Sequence, residues 1–412
     1  MESTSRIDDD NIENYFNMDE LRMDPYPLFQ ALRARPPYYI SNHWLISRHA
    51  DVLAVLSDPR CGYPGGSPQY GPNHKDWEAT VTGAANDLIQ TIRHKSAEIS
   101  GLGIFGRNPP DSSRLRTLMR TSLTRAKIAA LGRRAQEIAG GYLKKLDGKP
   151  RFDVVADFAY PVPVTVICEV LGVPVNLPLM RRWASDMSSS LAADRIPIDK
   201  ERGIMALAAM AEFFRKAKPA HGSMLEYLRE ANTRDEISRD EILANGAAIL
   251  VSGHITTQHL IASGIYLLLK HGQFQLLRAH PHLIGNAVEE MLRYEAPLQR
   301  VRRIAKDDDI SVNGFVIPQS YGMILLIGAA NRDPALVEDP DRFDITREPS
   351  QHLTFAFGTH FCLGAALARI EANAAIEAFV QKFPRLRLES DVPDWEARSL
   401  FRGLRSLPVV VE

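Results

Sequence analysis

The chain has 412 residues, 45% hydrophobic and 24% charged, with a formal charge of −1. That suits a large globular core and offers no basic field for nucleic acid. Three cysteines are too few for a disulfide framework, and no stretch approaches the roughly 18 uninterrupted apolar residues of a membrane span. The opening "MESTSRIDDDNIENYF" lacks the basic start and apolar run of a signal peptide. The expectation is a cytoplasmic protein without a membrane or nucleic-acid partner.

In chain order, "DPYPLFQALRAR" opens with helix-start punctuation, and "ADVLAVLSDPR" repeats apolar residues at helical spacing. Between Cys61 and Pro110 the pattern turns irregular, first rich in Gly and Pro, then reading "ANDLIQTIRHKSAEI", which fits one amphipathic helix. Such a long loop is either a lid or binding loop, or a tolerated surface insertion. Helical stretches follow in "RLRTLMRTSLTRAKIAALGRRAQEIAGGYLKKL", "PVPVTVICEVLGV" and "MALAAMAEFFRKA". The longest runs from about Ser238 to Lys270, with "LIGNAVEEMLRYEA" after it. "ISVNGFVIP" carries Asn313-Gly314, a strong hairpin signal, and "GMILLIGAAN" reads as a buried strand. Without repeats or a Ser-, Gly- or Pro-rich linker, the pattern predicts a mainly helical fold with small β-sheets, one domain over 1–412.

The stretch "TFAFGTHFCLG", Thr354 to Gly364, places Cys362 just before a helix, "CLGAALARIEANAAIEAF". A free cysteine can simply pack as a small hydrophobe. A zinc site from His352, His360 and Cys362 lacks a fourth ligand at the usual spacing, and a cysteine nucleophile would need a histidine base. In a further reading Cys362 is a thiolate that ligates iron. A helix N-terminus favours the deprotonated sulfur, Gly358 and Gly364 let the backbone pass close to a flat cofactor, and Phe355 and Phe357 keep water off the sulfur. Each residue type has a role in this reading and none in the others.

This stretch resembles the haem-binding loop of the cytochrome P450 family. The pattern Phe-x-x-Gly-x-x-x-Cys-x-Gly is met at Phe355, Gly358, Cys362 and Gly364, with Ala356 where many members carry another glycine. Companions occur in order. "EEMLR" sets Glu290 and Arg293 three apart on one helical face. "DPDRFDITR" looks like the family's Pro-x-Arg-Phe segment, which implies Arg342 as third member of a buried ion and hydrogen-bond network. The resemblance further implies Arg303, Arg116 and His360 as contacts of the haem propionates. Ser112 stands where a histidine is usual, so that contact is weakened or passes to Arg114 or a water.

In "LVSGHITTQHL", Ser252, Gly253, His254 and Thr256 match the family's central-helix layout, where the helix bulges beside the iron. Thr256 is implied as the residue that manages proton delivery. Ile255 occupies the position of the usual acid, which leaves several proton routes: water held by Thr256 and Thr257, a substrate hydroxyl, His259, or His254. His259 lies four residues beyond Ile255, hence on its helical face, and as a bland alternative is a histidine bonded to nearby backbone.

The resemblance spans essentially the whole chain. It implies the family's triangular, mostly helical fold around haem b and electrons from NAD(P)H through a separate ferredoxin and ferredoxin reductase. The implied activity is a monooxygenase that hydroxylates or epoxidises a hydrophobic small molecule, by analogy a secondary-metabolite tailoring step, with the substrate free or tethered to a carrier protein. The pocket lining is expected from the Cys61–Gly106 region, residues 185–199, the Ile249–Thr257 face and the Pro297–Val301 turn. The alternatives are a haem-thiolate oxidase that couples or rearranges its substrate without inserting oxygen, and a non-catalytic haem-binding sensor or carrier.

Overall fold

The computed structural model describes residues 23–35, 37–40, 43–64, 99, 101–192, 197–396 and 400–412. Of the expected amphipathic helix, residues 85–99, all but Ile99 lie outside these residues. The elements begin with α1 (Tyr26–Arg33), β1 (Tyr38–Ile40), β2 (His43–Ile46), α2 (His49–Ser57), β3 (Cys61–Gly62), α3 (Asp111–Ser122) and α4 (Arg125–Lys144). Next come β4 (Arg151–Asp153), α5 (Pro161–Leu171), α6 (Leu177–Ala192), α7 (Pro197–Lys216), α8 (Met224–Thr233), α9 (Arg239–Lys270) and α10 (Ile284–Tyr294). The chain continues with β5 (Arg300–Ala305), β6 (Ile310–Val312), β7 (Phe315–Ile317), β8 (Gly322–Leu326) and α11 (Ala365–Lys382). It closes with β9 (Leu386–Leu388), β10 (Asp394–Trp395), β11 (Leu404–Ser406) and β12 (Pro408–Val411). Helix dominates and the sheets are small, as the periodicities predict.

The described residues fall into two compact units, one drawn from Met1–Gly62, Ala135–Val162 and Thr256–Glu412, the other from Tyr63–Arg134 and Pro163–Ile255. The first unit holds a five-stranded sheet in the order β1-β2-β8-β5-β3, in which β2 and β8 run parallel and the other neighbours antiparallel. β8 is buried at every residue because apolar clusters cover both faces of the sheet, Met323 and Leu325 entering one and Ile324 and Leu326 the other. On one face, Ile46, Val52, Val55, Leu56, Met323, Leu325 and Leu353 form a common core. That core anchors the start of the cysteine loop, since Leu353 precedes it directly. The β6–β7 hairpin turns through Asn313 (φ +51°) and Gly314 (φ +82°), the left-handed pair its sequence predicts. In a separate sheet, β4 and β9 flank β12, and Phe152 of β4 meets Phe379 and Phe383 at the end of α11.

In the second unit the long basic helical stretch breaks after Ser122. Leu123 leaves helical geometry (φ −117°, ψ 59°), and Thr124 Oγ1 accepts from Lys127 N–H at 3.3 Å, capping the start of α4. α6 and α7 pack closely where Gly203 faces Ser190, and Gly246 of α9 lies on the ring of Phe214. Among the described residues no helix is long and apolar enough to cross a membrane.

Candidate active site

The cysteine loop is held first by Asn331, which is fully buried. Its Oδ1 accepts from Leu353 N–H at 2.7 Å, and its Nδ2 donates to Thr354 Oγ1 at 2.8 Å. Thr354 Oγ1 donates onward to Leu292 O of α10 at 2.7 Å. The chain then passes through two left-handed residues, Ala356 (φ +56°) and Gly358 (φ +70°), and Cys362 N–H returns to Phe355 O at 2.9 Å. α11 begins at Ala365, so the cysteine sits just ahead of a helix start, as expected. A Cβ at Gly358 would stand 2.4 Å from the carbonyl oxygen of Leu56, which gives this glycine a packing role as well as a conformational one. At Gly364 an added Cβ would meet no atom within 4 Å.

Of the three thiols, Cys362 is exposed, whereas Cys61 and Cys168 are buried. Burial, with Asp58 beside Cys61 and Glu169 beside Cys168, pushes those two up to about 12. Neither offers a thiolate near neutral pH. Phe355 is packed into the protein, but Phe357 is 40% exposed, so only one of the two rings expected to shield the sulfur is buried. Among the described residues no group of three or more His, Cys, Asp or Glu side chains could hold a metal ion; His352 instead hydrogen-bonds Glu289 at 3.2 Å.

Behind the loop, Arg293 clasps Glu290 through Nε at 2.7 Å and Nη2 at 2.8 Å, and both side chains are essentially inaccessible. Arg293 also donates to the carbonyls of Pro340 (2.8 Å), Asn331 (3.2 Å) and Arg342 (3.3 Å). The expectation for Arg342 is therefore corrected. Its guanidinium is 67% exposed and pairs with Asp344 at 2.7 Å, so Arg342 gives the network only its carbonyl. The nearby cation is Arg347, whose Nε lies 3.5 Å from Glu290 Oε1. The turn explains the exchange: Asp344 donates its N–H to Glu290 at 3.1 Å, and its carboxylate faces Thr346 and Arg342.

Arg303, in the first unit, is buried on β5 and donates from Nη1 to Arg302 O at 2.7 Å. His360 is half-buried within the cysteine loop. In the second unit Arg116 is half-buried on α3. One turn earlier on the same helix, Ser112 is buried and its hydroxyl has no hydrogen-bond partner among the described residues. Arg114 does not take over from it: Nη1 donates to Glu236 O at 2.8 Å, and Nη2 pairs with Glu241.

α9 is helical without interruption, so the bulge expected near Thr256 is absent. Ser252 Oγ donates to Ala248 O at 2.7 Å and His254 Nδ1 bonds Leu250 O, so both side chains add bonds to carbonyls one turn back while the backbone stays regular. A Cβ on Gly253 would stand 2.5 Å from Ile167 Cδ1 of α5, so that glycine admits a neighbouring helix. Ile255 is buried and Thr256 half-buried. His259 is buried with its ring against the backbone of Gly403, where a Cβ would come within 1.7 Å of Nδ1. Both histidines are thus packed groups.

Most of the Cys61–Gly106 lining lies outside the described residues, as do the side chains of 192–199. Residues 185–191 lie on α6, and Pro297–Val301 leads into β5. There Arg402 N–H donates to Pro297 O, and Gln299 N–H to Leu400 O, each at 2.9 Å. Asn331, Arg347 and the pair Glu289–Arg369 went unnoticed in the sequence, because each acts on residues far along the chain and none belongs to a spaced motif.

Residues 277–404 match the family model described as Cytochrome P450. Over 408 residues the chain is 34% identical to the biotin biosynthesis cytochrome P450 of Bacillus subtilis, covering 95% of this chain and 98% of that protein. It is 33% identical over 405 residues to the cytochrome P450 monooxygenase PikC of Streptomyces venezuelae, covering 94% and 91% respectively. Among solved structures, P450BioI in complex with acyl carrier protein ligated to hexadec-9Z-enoic acid is similar with a TM-score of 0.84 at 31% identity, covering 96% of this chain and 99% of that one.

Proposed function

The chain belongs to the cytochrome P450 family of haem-dependent monooxygenases, and from that premise we propose that Cys362 is the thiolate that would hold haem b in an enzyme that inserts one atom of O2 into a hydrophobic small molecule. The observation that carries this reading is the contrast among the thiols: Cys362 is exposed on a loop shaped by two left-handed residues, while the other two are buried and pushed up to about 12. The donor set fits an iron porphyrin. Within the first unit it combines an accessible thiol, an open face at Gly364, the Arg303 guanidinium and the His360 imidazole; in the second unit Arg116 lies one turn from the buried Ser112, whose hydroxyl has no partner among the described residues.

When bound, the haem supplies the activation of O2. Cys362 would hold the iron through its sulfur, and Phe355 would keep water from that sulfur. Arg303, His360 and Arg116 would hold the propionates, and Ser112 stands where a histidine is usual in the family. Gly364, where an added Cβ would meet no atom, would leave room for the cofactor, whereas Gly358 and Gly253 face Leu56 and Ile167. Thr256 holds and passes the proton; with Ile255 beside it, the proton reaches Thr256 through water, Thr257 or a substrate hydroxyl. Electrons come from NAD(P)H through a separate ferredoxin and its reductase. The single domain expected over 1–412 is part of this proposal.

The substrate class follows by analogy with the relatives: a secondary metabolite or fatty chain, free or presented by a carrier protein. Turnover with a surrogate ferredoxin system under labelled dioxygen tests the reaction. Label in the product supports insertion. An unlabelled oxidised product supports coupling or rearrangement, the second reading, which Ile255 at the acid position favours. Substrate binding without any turnover supports a sensor or carrier. In the Thr256→Ala variant, electron use separates from product formation and peroxide is released; unchanged coupling would show that protons bypass this threonine.

A further inference from the structure

Phe355 opens the cysteine loop, and three elements of the first unit close around it. Its carbonyl accepts from Cys362 N–H at 2.9 Å, so a movement of Phe355 is a movement of the residue that carries the sulfur. Over the ring lies the Arg369 guanidinium of α11, 4.4 Å from the centroid. The ring of His352 stands 5.9 Å away at 46°. One carboxylate orients both neighbours. Arg369 donates from Nε to Glu289 Oε1 at 2.6 Å and from Nη2 to Oε2 at 2.9 Å, and His352 Nε2 meets Oε2 at 3.2 Å. Thr354 N–H donates to His352 Nδ1 at 3.3 Å, which assigns the imidazole its Nε2–H tautomer and makes it a donor to Glu289. Burial raises the Glu289 carboxyl, but the hydrogen bonds from His352 and Arg369 outweigh it and hold the group down to about 2. A forked arginine–carboxylate pair fixes geometry as well as charge.

We propose that Glu289, His352 and Arg369 form a positioning clamp that fixes the Phe355 ring and, through the Phe355–Cys362 backbone bond, sets the strength of thiolate ligation and the reduction potential of the bound iron. This rests on the haem-thiolate reading. They act through Phe355, whose place decides how much water reaches the sulfur.

The test uses the haem-loaded protein and three variants. Glu289→Gln keeps the shape and removes the charge, Arg369→Lys keeps the charge and removes the fork, and Lys382→Ala, at the end of α11, breaks an exposed pair with Asp147 as a control. Two quantities are read: the ferric–ferrous midpoint potential, and the rate at which the reduced carbonyl complex loses its thiolate-ligated Soret band. The clamp predicts a displaced potential in Glu289→Gln and Arg369→Lys and a band lost roughly 10- to 100-fold faster, with Lys382→Ala like wild type. If both variants keep the wild-type potential and rate, even at a lower melting temperature, the trio is only structural and the proposal is overturned. Should Glu289→Gln fail to fold, Arg369→Lys still decides. A wild-type protein without a thiolate-type band overturns the haem-thiolate reading instead, so the two failures are distinct.

Discussion

Gly358 is the glycine of the cysteine loop most tightly constrained by its surroundings. Its φ of +70° disfavours any side chain, and a Cβ would press on the Leu56 carbonyl at 2.4 Å. Gly358→Ala is expected to cost roughly 1–3 kcal/mol, from strain alone before any rearrangement of α2, read as a lower urea midpoint. Glu371 of α11 presents a different stress. It is fully buried, Oε2 has no hydrogen-bond partner among the described residues, and burial raises its carboxyl well above the ordinary value of 4.5. The folded state therefore holds its proton more tightly than the unfolded chain. The group's contribution to stability is full below pH 4.5 and is lost as pH rises through the raised folded value. Glu371→Gln should flatten the fall in stability across that window and raise the denaturation midpoint at neutral pH. A midpoint unchanged or lowered at pH 8 would show that the charge is relieved by some other means. At this scale Cys362, Glu290 and Arg293 were legible because they recur at fixed spacing. Asn331 was not, since its role depends on reaching Leu353 and Thr354 across a loop.

Elements follow a similar division. Long periodic helices such as α9 and α11 announce themselves, and Asn313-Gly314 announces its hairpin. The break between α3 and α4 escapes a periodicity argument because Leu123 and Thr124 interrupt it for only two residues, with a hydroxyl cap that a threonine inside a helix does not advertise. The uninterrupted α9 departs from expectation: Ser252 and His254 bond carbonyls one turn back while the helix stays regular. α10 matters most for cohesion, because Arg293 gathers three carbonyls from the segment that follows β8. Glu290→Gln leaves that guanidinium buried without its counter-charge, at about 3–5 kcal/mol. The expected outcome is poor folding and little haem uptake. Arg342→Ala, by contrast, keeps the carbonyl that Arg293 uses and should stay within about 0.5 kcal/mol of wild type, as for an exposed surface position. Equal damage from both variants would restore Arg342 to the network.

At the scale of the whole molecule, the sheet of the first unit joins strands from opposite ends of the chain. β2 pairs with β8 in parallel, His43 opposite Gly322 and Ile46 opposite Leu325. Strands of three to six residues at such separation carry too little periodicity to be paired from sequence. The family pattern spans the full chain and made the architecture legible where local patterns could not. The account stands on Cys362 as the iron ligand, and the carbon monoxide difference spectrum of the reduced, haem-loaded protein tests it most directly, wild type beside Cys362→Ser. The prediction is a wild-type Soret band at the long-wavelength position of a thiolate-ligated carbonyl haem, lost in Cys362→Ser. A wild-type chain that takes up no haem, or a band that survives the loss of this sulfur, would contradict it.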